Sequence, residues 1–148
     1  MAEIITRLMT AEDVDAVHEI DLASFAIPWT RDAFAKEAEN NCARYLVLCE
    51  DGKPVAYAGV WFVLDEGQIT NIAVHPDHRR KGYGAAITRA LLRHAKDAKL
   101  ESVSLEVRVS NTAAIELYKK AGFAEAGRRK GFYAKPTEDA LVMVCKIK

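Results

Sequence analysis

Ala73-Val74-His75-Pro76-Asp77-His78-Arg79-Arg80-Lys81-Gly82-Tyr83-Gly84-Ala85-Ala86-Ile87 joins an apolar, strand-like stretch to a helical one. Three consecutive cations meet two glycines at the junction. Gly82 and Gly84 let the backbone approach a ligand closely, and the first amides of the following helix have no partner within it. The helix dipole adds partial positive charge to that of Arg79, Arg80 and Lys81. The physical parts suit an anion, and a diphosphate in particular. Two familiar phosphate motifs do not fit. A P-loop needs Gly-Lys-Ser/Thr, whereas Gly84 precedes Ala85-Ala86. A dinucleotide fingerprint needs a third glycine where Ile87 stands, and an acid about twenty residues further on.

Outward from this junction the chain alternates between strand and helix patterns. Gln68 to Val74 reads as a strand, preceded by a turn at Glu66-Gly67 and a long strand from about Pro54 to Leu64. Asp51-Gly52 is a hairpin signal between that strand and another from Arg44 to Glu50. Glu3 to Met9 makes a first strand. Thr10 and Asp13 open a helix carrying Val14, Val17, His18 and Leu22; Pro28 breaks it, and Thr30 caps a second, short helix through about Glu39.

From Gly84 to about Lys96 the period is helical. Ile87, Ala90, Leu91, His94 and Ala98 mark the inner face, and Arg89, Arg93 and Lys96 the outer one. Ser102 to Val109 alternates, with Val103, Leu105, Val107 and Val109 on one face and Ser104, Glu106 and Arg108 on the other. Asn111 opens a helix with Ala114, Leu117, Tyr118 and Ala121 along one side, and Gly122 stops it. Strands near Phe123–Arg129 and Ala140–Ile147 flank a loop containing Gly131 and Pro136. The crossover helices require some parallel pairing, so the fold class is mixed α/β.

The 148 residues fit one domain over 1–148, without repeats or linkers. Half of them are hydrophobic, which excludes a disordered chain. No apolar run approaches the roughly 20 residues of a membrane span, and no signal peptide is visible at the start. The expected location is cytoplasmic. Formal net charge is zero, so no direct nucleic-acid binding is expected. Residues 1–50 nevertheless hold ten acids and four bases, leaving eleven acids and seventeen bases for the remainder. Cys42, Cys49 and Cys145 form no metal or redox motif. His75-x-x-His78 lies in a loop without a third ligand, so no metal is expected.

Asn71 to Pro76 followed by Arg79-Arg80-Lys81-Gly82-Tyr83-Gly84 resembles the acetyl-coenzyme-A motif of the GNAT acetyltransferases, Arg/Gln-x-x-Gly-x-Gly/Ala. The order of strands and helices resembles that family's layout along nearly the whole chain. The resemblance implies a GNAT fold: a single mixed, mostly antiparallel sheet of about seven strands, with the fourth and fifth strands as a central parallel pair and helices at its sides. It also implies acetyl-CoA as co-substrate. Backbone groups at Ile72, Ala73 and Val74 would meet the pantetheine arm, and Arg79, Arg80, Lys81, Gly82, Tyr83, Gly84 and Ala85 would wrap the pyrophosphate. Asn111 and Tyr118 would complete the cofactor set.

A second block, Leu105-Glu106-Val107-Arg108-Val109-Ser110-Asn111 through Leu117-Tyr118 to Gly122-Phe123, resembles RimI-type N-terminal acetyltransferases. Ile27-Pro28-Trp29-Thr30 is similar to that group's Pro-Trp-Ser/Thr loop. The implied acceptor is a protein N-terminus, specifically the alanine of small-subunit ribosomal protein eighteen. An N-terminal amine has an ordinary pKa of about 7.7–8.0, so attack on a thioester requires loss of a proton. Glu106 is the candidate general base and Tyr118 the candidate general acid toward the departing thiolate. The mechanism implied is direct attack in a ternary complex.

Trp29 and Tyr133 are candidates for the acceptor groove. One departure stands beside them: the group commonly shows Arg-Lys-x-Tyr-Tyr where this chain has Arg129-Lys130-Gly131-Phe132-Tyr133. One hydroxyl is therefore missing. Two other readings remain open at the level of sequence, a GNAT enzyme acting on a small-molecule amine and a noncatalytic coenzyme-A-binding module.

Overall fold

The computed structural model describes residues 2–148. Seven strands form one sheet: β1 (Ile4–Leu8), β2 (Ala43–Glu50), β3 (Lys53–Val63), β4 (Glu66–Val74), β5 (Ser102–Arg108), β6 (Ala124–Tyr133) and β7 (Glu138–Lys146). Their spatial order is β1-β2-β3-β4-β5-β7-β6. Every neighbouring pair is antiparallel except β4 and β5. Helices α1 (Val14–Ser24) and α2 (Arg31–Ala38) precede β2; α3 (Tyr83–Asp97) is the crossover from β4 to β5, and α4 (Thr112–Ala121) follows β5. The expected mixed sheet with its central parallel pair is present. No helix among the described residues is long and apolar enough to cross a membrane.

Strand alternation divides the core into two clusters. Leu46, Leu48, Ala58 and Val60 point to the side that packs against Ile87 and Leu91 of α3. Tyr45, Val47 and Tyr57 point to the other side, against Val14, Val17 and Ile20 of α1 and Phe34 of α2. Because β2 and β3 are covered on both faces, they read as nearly continuous apolar runs. On β5 the apolar positions Val103, Leu105 and Val107 enter the first cluster, which leaves Ser104, Glu106 and Arg108 half-buried on the opposite face.

Several boundaries move. The β3–β4 turn is Leu64–Asp65, not Glu66-Gly67, with Leu64 in the left-handed region at φ 58°. Gly67 lies inside β4, where an added Cβ would sit 3.0 Å from Val60 and 3.1 Å from Leu100. Close packing, not a turn, demands that glycine. Ala98 is exposed because α3 ends at Asp97, and Ala95 takes the inner position instead. Strand β5 stops at Arg108, one residue early. Strand β6 continues to Tyr133 through a register shift between Arg129 and Tyr133, with Gly131 at φ 63°. The expected caps are in place: Thr30 Oγ1 accepts from Ala33 N at 3.1 Å, and Gly122 ends α4 at φ 110°.

The pairing of β4 contains the feature that shapes the site. Gly59 faces Asn71 while Val60 faces Ile69, so Thr70 is an extra residue, a β-bulge. Across the sheet Gly59 also faces Tyr45, whose ring covers the glycine. The Tyr45 hydroxyl lies 2.7 Å from Thr70 Oγ1, which in turn donates to Asn71 Oδ1 at 2.6 Å. A Cβ at position 59 would overlap the Tyr45 ring and lie 2.7 Å from Thr70 Oγ1. Gly59→Ala is therefore expected to destabilise the fold by about 1–3 kcal/mol, as overpacking does, read as a lowered denaturant midpoint with an unchanged slope.

Candidate active site

The parallel pair β4–β5 is joined over only three register positions, Glu66–Ser102, Gly67–Val103 and Gln68–Ser104. Beyond them the strands part. His75 N donates to Val55 O at 2.8 Å, which sets the phase of the β3–β4 ladder. In that phase the amides and carbonyls of Ile72 and Val74 turn away from β3 and into the gap. Ala73, the third expected cofactor residue of this strand, faces β3 with its backbone and buries its side chain under α1.

At the head of the gap, Arg79 Nε donates to Val74 O at 3.1 Å. Arg80 is left-handed at φ 66° and Gly82 at φ 78°. A Cβ at Gly82 would meet nothing within 4 Å, whereas one at Gly84 would lie 3.1 Å from Leu117 Cδ1. The two glycines thus serve different ends. Gly82 supplies the turn into α3, and Gly84 lets α4 approach. The first amides of the 15-residue α3, from Tyr83 through Ala85, open toward this loop without helical partners. Lys81 and Tyr83 point their polar ends to Glu50, at 3.1 and 2.7 Å, so what they offer a ligand is mainly backbone. The loop fits an elongated anionic ligand, a backbone cradle flanked by cations.

A second opening lies on the α1–α2 side of the same gap. It is an open cleft of about 240 Å³ lined by Trp29, Trp61, Gln68, Ile69, Thr70, Ser104 and Glu106. Two of its walls, Trp29 and Glu106, are positions expected from the sequence. The Trp29 loop is tied down from beneath. Asp21, fully buried on α1, accepts from Trp29 N at 2.6 Å and from the Tyr57 hydroxyl. Burial, and then the Asp21 charge, raises the Tyr57 phenol far above its ordinary range, so it remains a donor. The Trp29 ring packs 5.4 Å from Phe34 and 6.3 Å from Trp61, whose Nε1 donates to Glu37 Oε2 at 2.6 Å.

Glu106 Oε1 has Arg129 Nε of β6 at 3.6 Å. Tyr133 follows on the same strand, its phenol pushed up to about 12 by burial and then by the Glu106 charge. Tyr118, partly buried on α4, is also pushed up to about 12, by desolvation and then by Tyr133. Both stay protonated at neutral pH. Tyr118 packs 5.8 Å from Phe123. Asn111 caps α4, accepting from Ala114 N at 3.2 Å. Phe132, where the hydroxyl is missing, stands edge-on to Tyr133 at 5.0 Å and is about half exposed.

Sequence reasoning missed the anchors. Arg108 donates to Pro136 O and Ala134 O, each at 2.9 Å, and to Glu138 Oε1 at 3.2 Å, while its guanidinium lies 4.5 Å over the Tyr133 ring. Glu138 Oε2 accepts from Ser110 N at 2.7 Å. No local pattern announced that tether. Asp21 did leave a signal, an acid on the apolar stripe of Val14, Val17 and Ile20. Among the described residues, no three His, Cys, Asp or Glu side chains converge to hold a metal.

A β-bulged strand thus parts from its parallel neighbour, with a basic glycine-turned loop at its end. The chain belongs to the acetyltransferase (GNAT) family, whose model matches residues 14–123. Among its relatives is a protein of Escherichia coli K12 named [ribosomal protein bS18]-alanine N-acetyltransferase, 40% identical over 91% of this chain and 92% of its own. A Bacillus subtilis protein given the same name provisionally is 46% identical, over 93% of this chain and 91% of its own. The crystal structure of the ribosomal-protein-S18-alanine N-acetyltransferase from Escherichia coli superposes with a TM-score of 0.92 at 34% identity, covering 99% of this chain and 95% of that one.

The Arg108–Glu138 tether has a checkable consequence. Ser110's hydrogen bonds, and then Arg108, hold the Glu138 carboxyl below its ordinary range. A depressed carboxylate stabilises the fold above its unfolded value of about 4.3 and ceases to do so as pH falls through the lower folded value. Amide exchange of residues 134–138 should therefore be steady from neutrality to about pH 4.3, faster below it once corrected for intrinsic rates. At neutral pH, Arg108→Ala should raise exchange there about tenfold. A change spread evenly over the sheet would mean that Arg108 has no particular hold on the loop.

Proposed function

We propose that this protein transfers the acetyl group of acetyl-coenzyme A to the N-terminal alanine of ribosomal protein bS18, in the cytoplasm, through a ternary complex formed on the single domain 1–148. The observation that carries the reading is the placement of Glu106 in the Trp29–Trp61 cleft, on the side of the β4–β5 gap opposite α3. The relatives named above supply the acceptor.

Acetyl-coenzyme A supplies a thioester acyl group when bound. Its diphosphate is assigned to the loop Arg79–Ala85, with Arg79 and Arg80 offsetting charge, Lys81 and Tyr83 contributing mainly backbone, and the α3 amides donating. The outward backbone groups of Ile72 and Val74 pair with the pantetheine arm, and Asn111 contacts that arm from the start of α4. A backbone N–H near Val74 donates to the thioester oxygen as charge develops on it. Trp29 and Tyr133 wall the acceptor groove. Glu106 accepts the proton of the α-ammonium, directly or through water, so that the free amine attacks. Tyr118, kept protonated by burial, donates to the leaving thiolate. The acceptor's positive charge and Arg129 would compete for the Glu106 carboxylate, so Arg129 moves aside as the amine enters.

Incubation with acetyl-coenzyme A and a peptide beginning at the bS18 alanine should add one acetyl group, seen by mass. No gain on that peptide, together with turnover of small amines, would replace the acceptor assignment. Glu106→Gln should lower kcat by about 10²–10⁴-fold at neutral pH while leaving acetyl-coenzyme A binding intact. Its rate should recover toward alkaline pH as the amine, with an ordinary pKa of about 7.7–8.0, loses its proton unaided. Tyr118→Phe should lower kcat by about 10²-fold without that alkaline recovery.

A further inference from the structure

Glu50 ends β2, on the far side of the β3–β4 hairpin from the cleft chemistry, and no step proposed above uses it. Its carboxylate is nonetheless the meeting point of the cationic loop. Tyr83 Oη donates to Oε1 at 2.7 Å and Lys81 Nζ to the same oxygen at 3.1 Å. His78 Nδ1 lies 2.8 Å from Oε2, though out of line for a hydrogen bond. Lys81 Nζ also lies 5.8 Å over the Tyr83 ring. Three side chains within six residues of one loop thus converge on one acid from another strand.

The stretch between them is conformationally demanding. Arg80 and Gly82 are both left-handed, at φ 66° and 78°, and only the second is a glycine. Such a residue persists where its surroundings overdetermine it. Lys81 and Tyr83 flank Gly82 directly, and Glu50 holds both. The hydrogen bonds of Tyr83, then of Lys81, keep the Glu50 carboxyl below its ordinary range, so it is ionised at all physiological pH.

A carboxylate beside a diphosphate cradle opposes anion binding by charge alone. Its presence there is explained by geometry. We infer that Glu50 is a positioning residue for acetyl-coenzyme A: acting through Tyr83 and Lys81, it fixes the turn at Arg80–Gly82 so that the α3 amides converge on the diphosphate. This rests on the assignment of the loop Arg79–Ala85 to that group.

Charge and geometry predict opposite signs. Loss of the negative charge alone would lower KM for acetyl-coenzyme A in Glu50→Ala; loss of the clamp would raise it. We expect a rise of about tenfold, with kcat within about twofold, the size of one charge-assisted hydrogen bond. With acetyl-pantetheine, a donor lacking the diphosphate, kcat/KM of Glu50→Ala should stay within about twofold of wild type, because the cradle is not engaged. Tyr83→Phe, which removes only one hydroxyl, should raise KM for acetyl-coenzyme A as well, and the double variant should be no worse than Glu50→Ala. An unchanged or lower KM in both single variants, or equal losses with the two donors, would overturn the role of Glu50. Equal kcat/KM for the two donors in the wild-type protein would instead overturn the diphosphate assignment itself.

Discussion

The short union of β4 and β5 is the constraint on which the rest of the structure depends. A parallel pair ordinarily closes its ladder along its whole length, leaving nothing for a ligand to bind. Here the ladder stops after Gln68–Ser104, and the next residues of β4 carry the Thr70 bulge. The bulge bends the strand, and the Tyr45–Thr70–Asn71 hydrogen bonds hold the bend. Gly59 makes this possible by leaving space for the Tyr45 ring. The resulting gap exposes the backbone of Ile72 and Val74 on one side and presents Glu106 on the other. The sheet thus gives up part of its own pairing so that backbone groups remain available to an extended partner.

Three carboxylates outside the proposed chemistry each tie one border of this gap. Asp21 holds the Trp29 loop, Glu138 holds the β6–β7 loop through Arg108 and Ser110, and Glu50 gathers the cationic loop. Burying a carboxylate is costly unless its lone pairs are satisfied. Asp21 meets that condition with a backbone amide and a phenol, in a position where an aliphatic residue would fill the core but let the loop drift. Stability alone would not select such groups at these places. Loops that must present a tryptophan, a tyrosine and a row of amides with fixed geometry give them a reason.

Much of the candidate site was legible because it rests on local rules. The switch from strand to helix at Gly82–Gly84, the Thr30 and Asn111 caps, and the alternation that puts Glu106 opposite Leu105 are properties of short segments. The errors have the same origin. Gly67 looks like a turn residue to any local rule, but it is a contact point for Val60, Leu100 and Val103, which no neighbouring residue reveals. Lys81 and Tyr83 enter the cofactor set by resemblance, and what no local rule reveals is that their side chains answer to Glu50, about thirty positions earlier in the chain.

The sequence by itself determined the elements, their order, the faces of β5 and the glycine-turned basic loop, because backbone propensity and periodicity act over a few residues. Only the tertiary structure decided where β4 leaves β5, which acid supports which loop, and that Trp29, Trp61, Thr70 and Glu106 share one cleft. Those are relations between residues far apart in the chain. They depend on register, on the Thr70 bulge and on buried charge finding its partner, and none of these is written in a single segment.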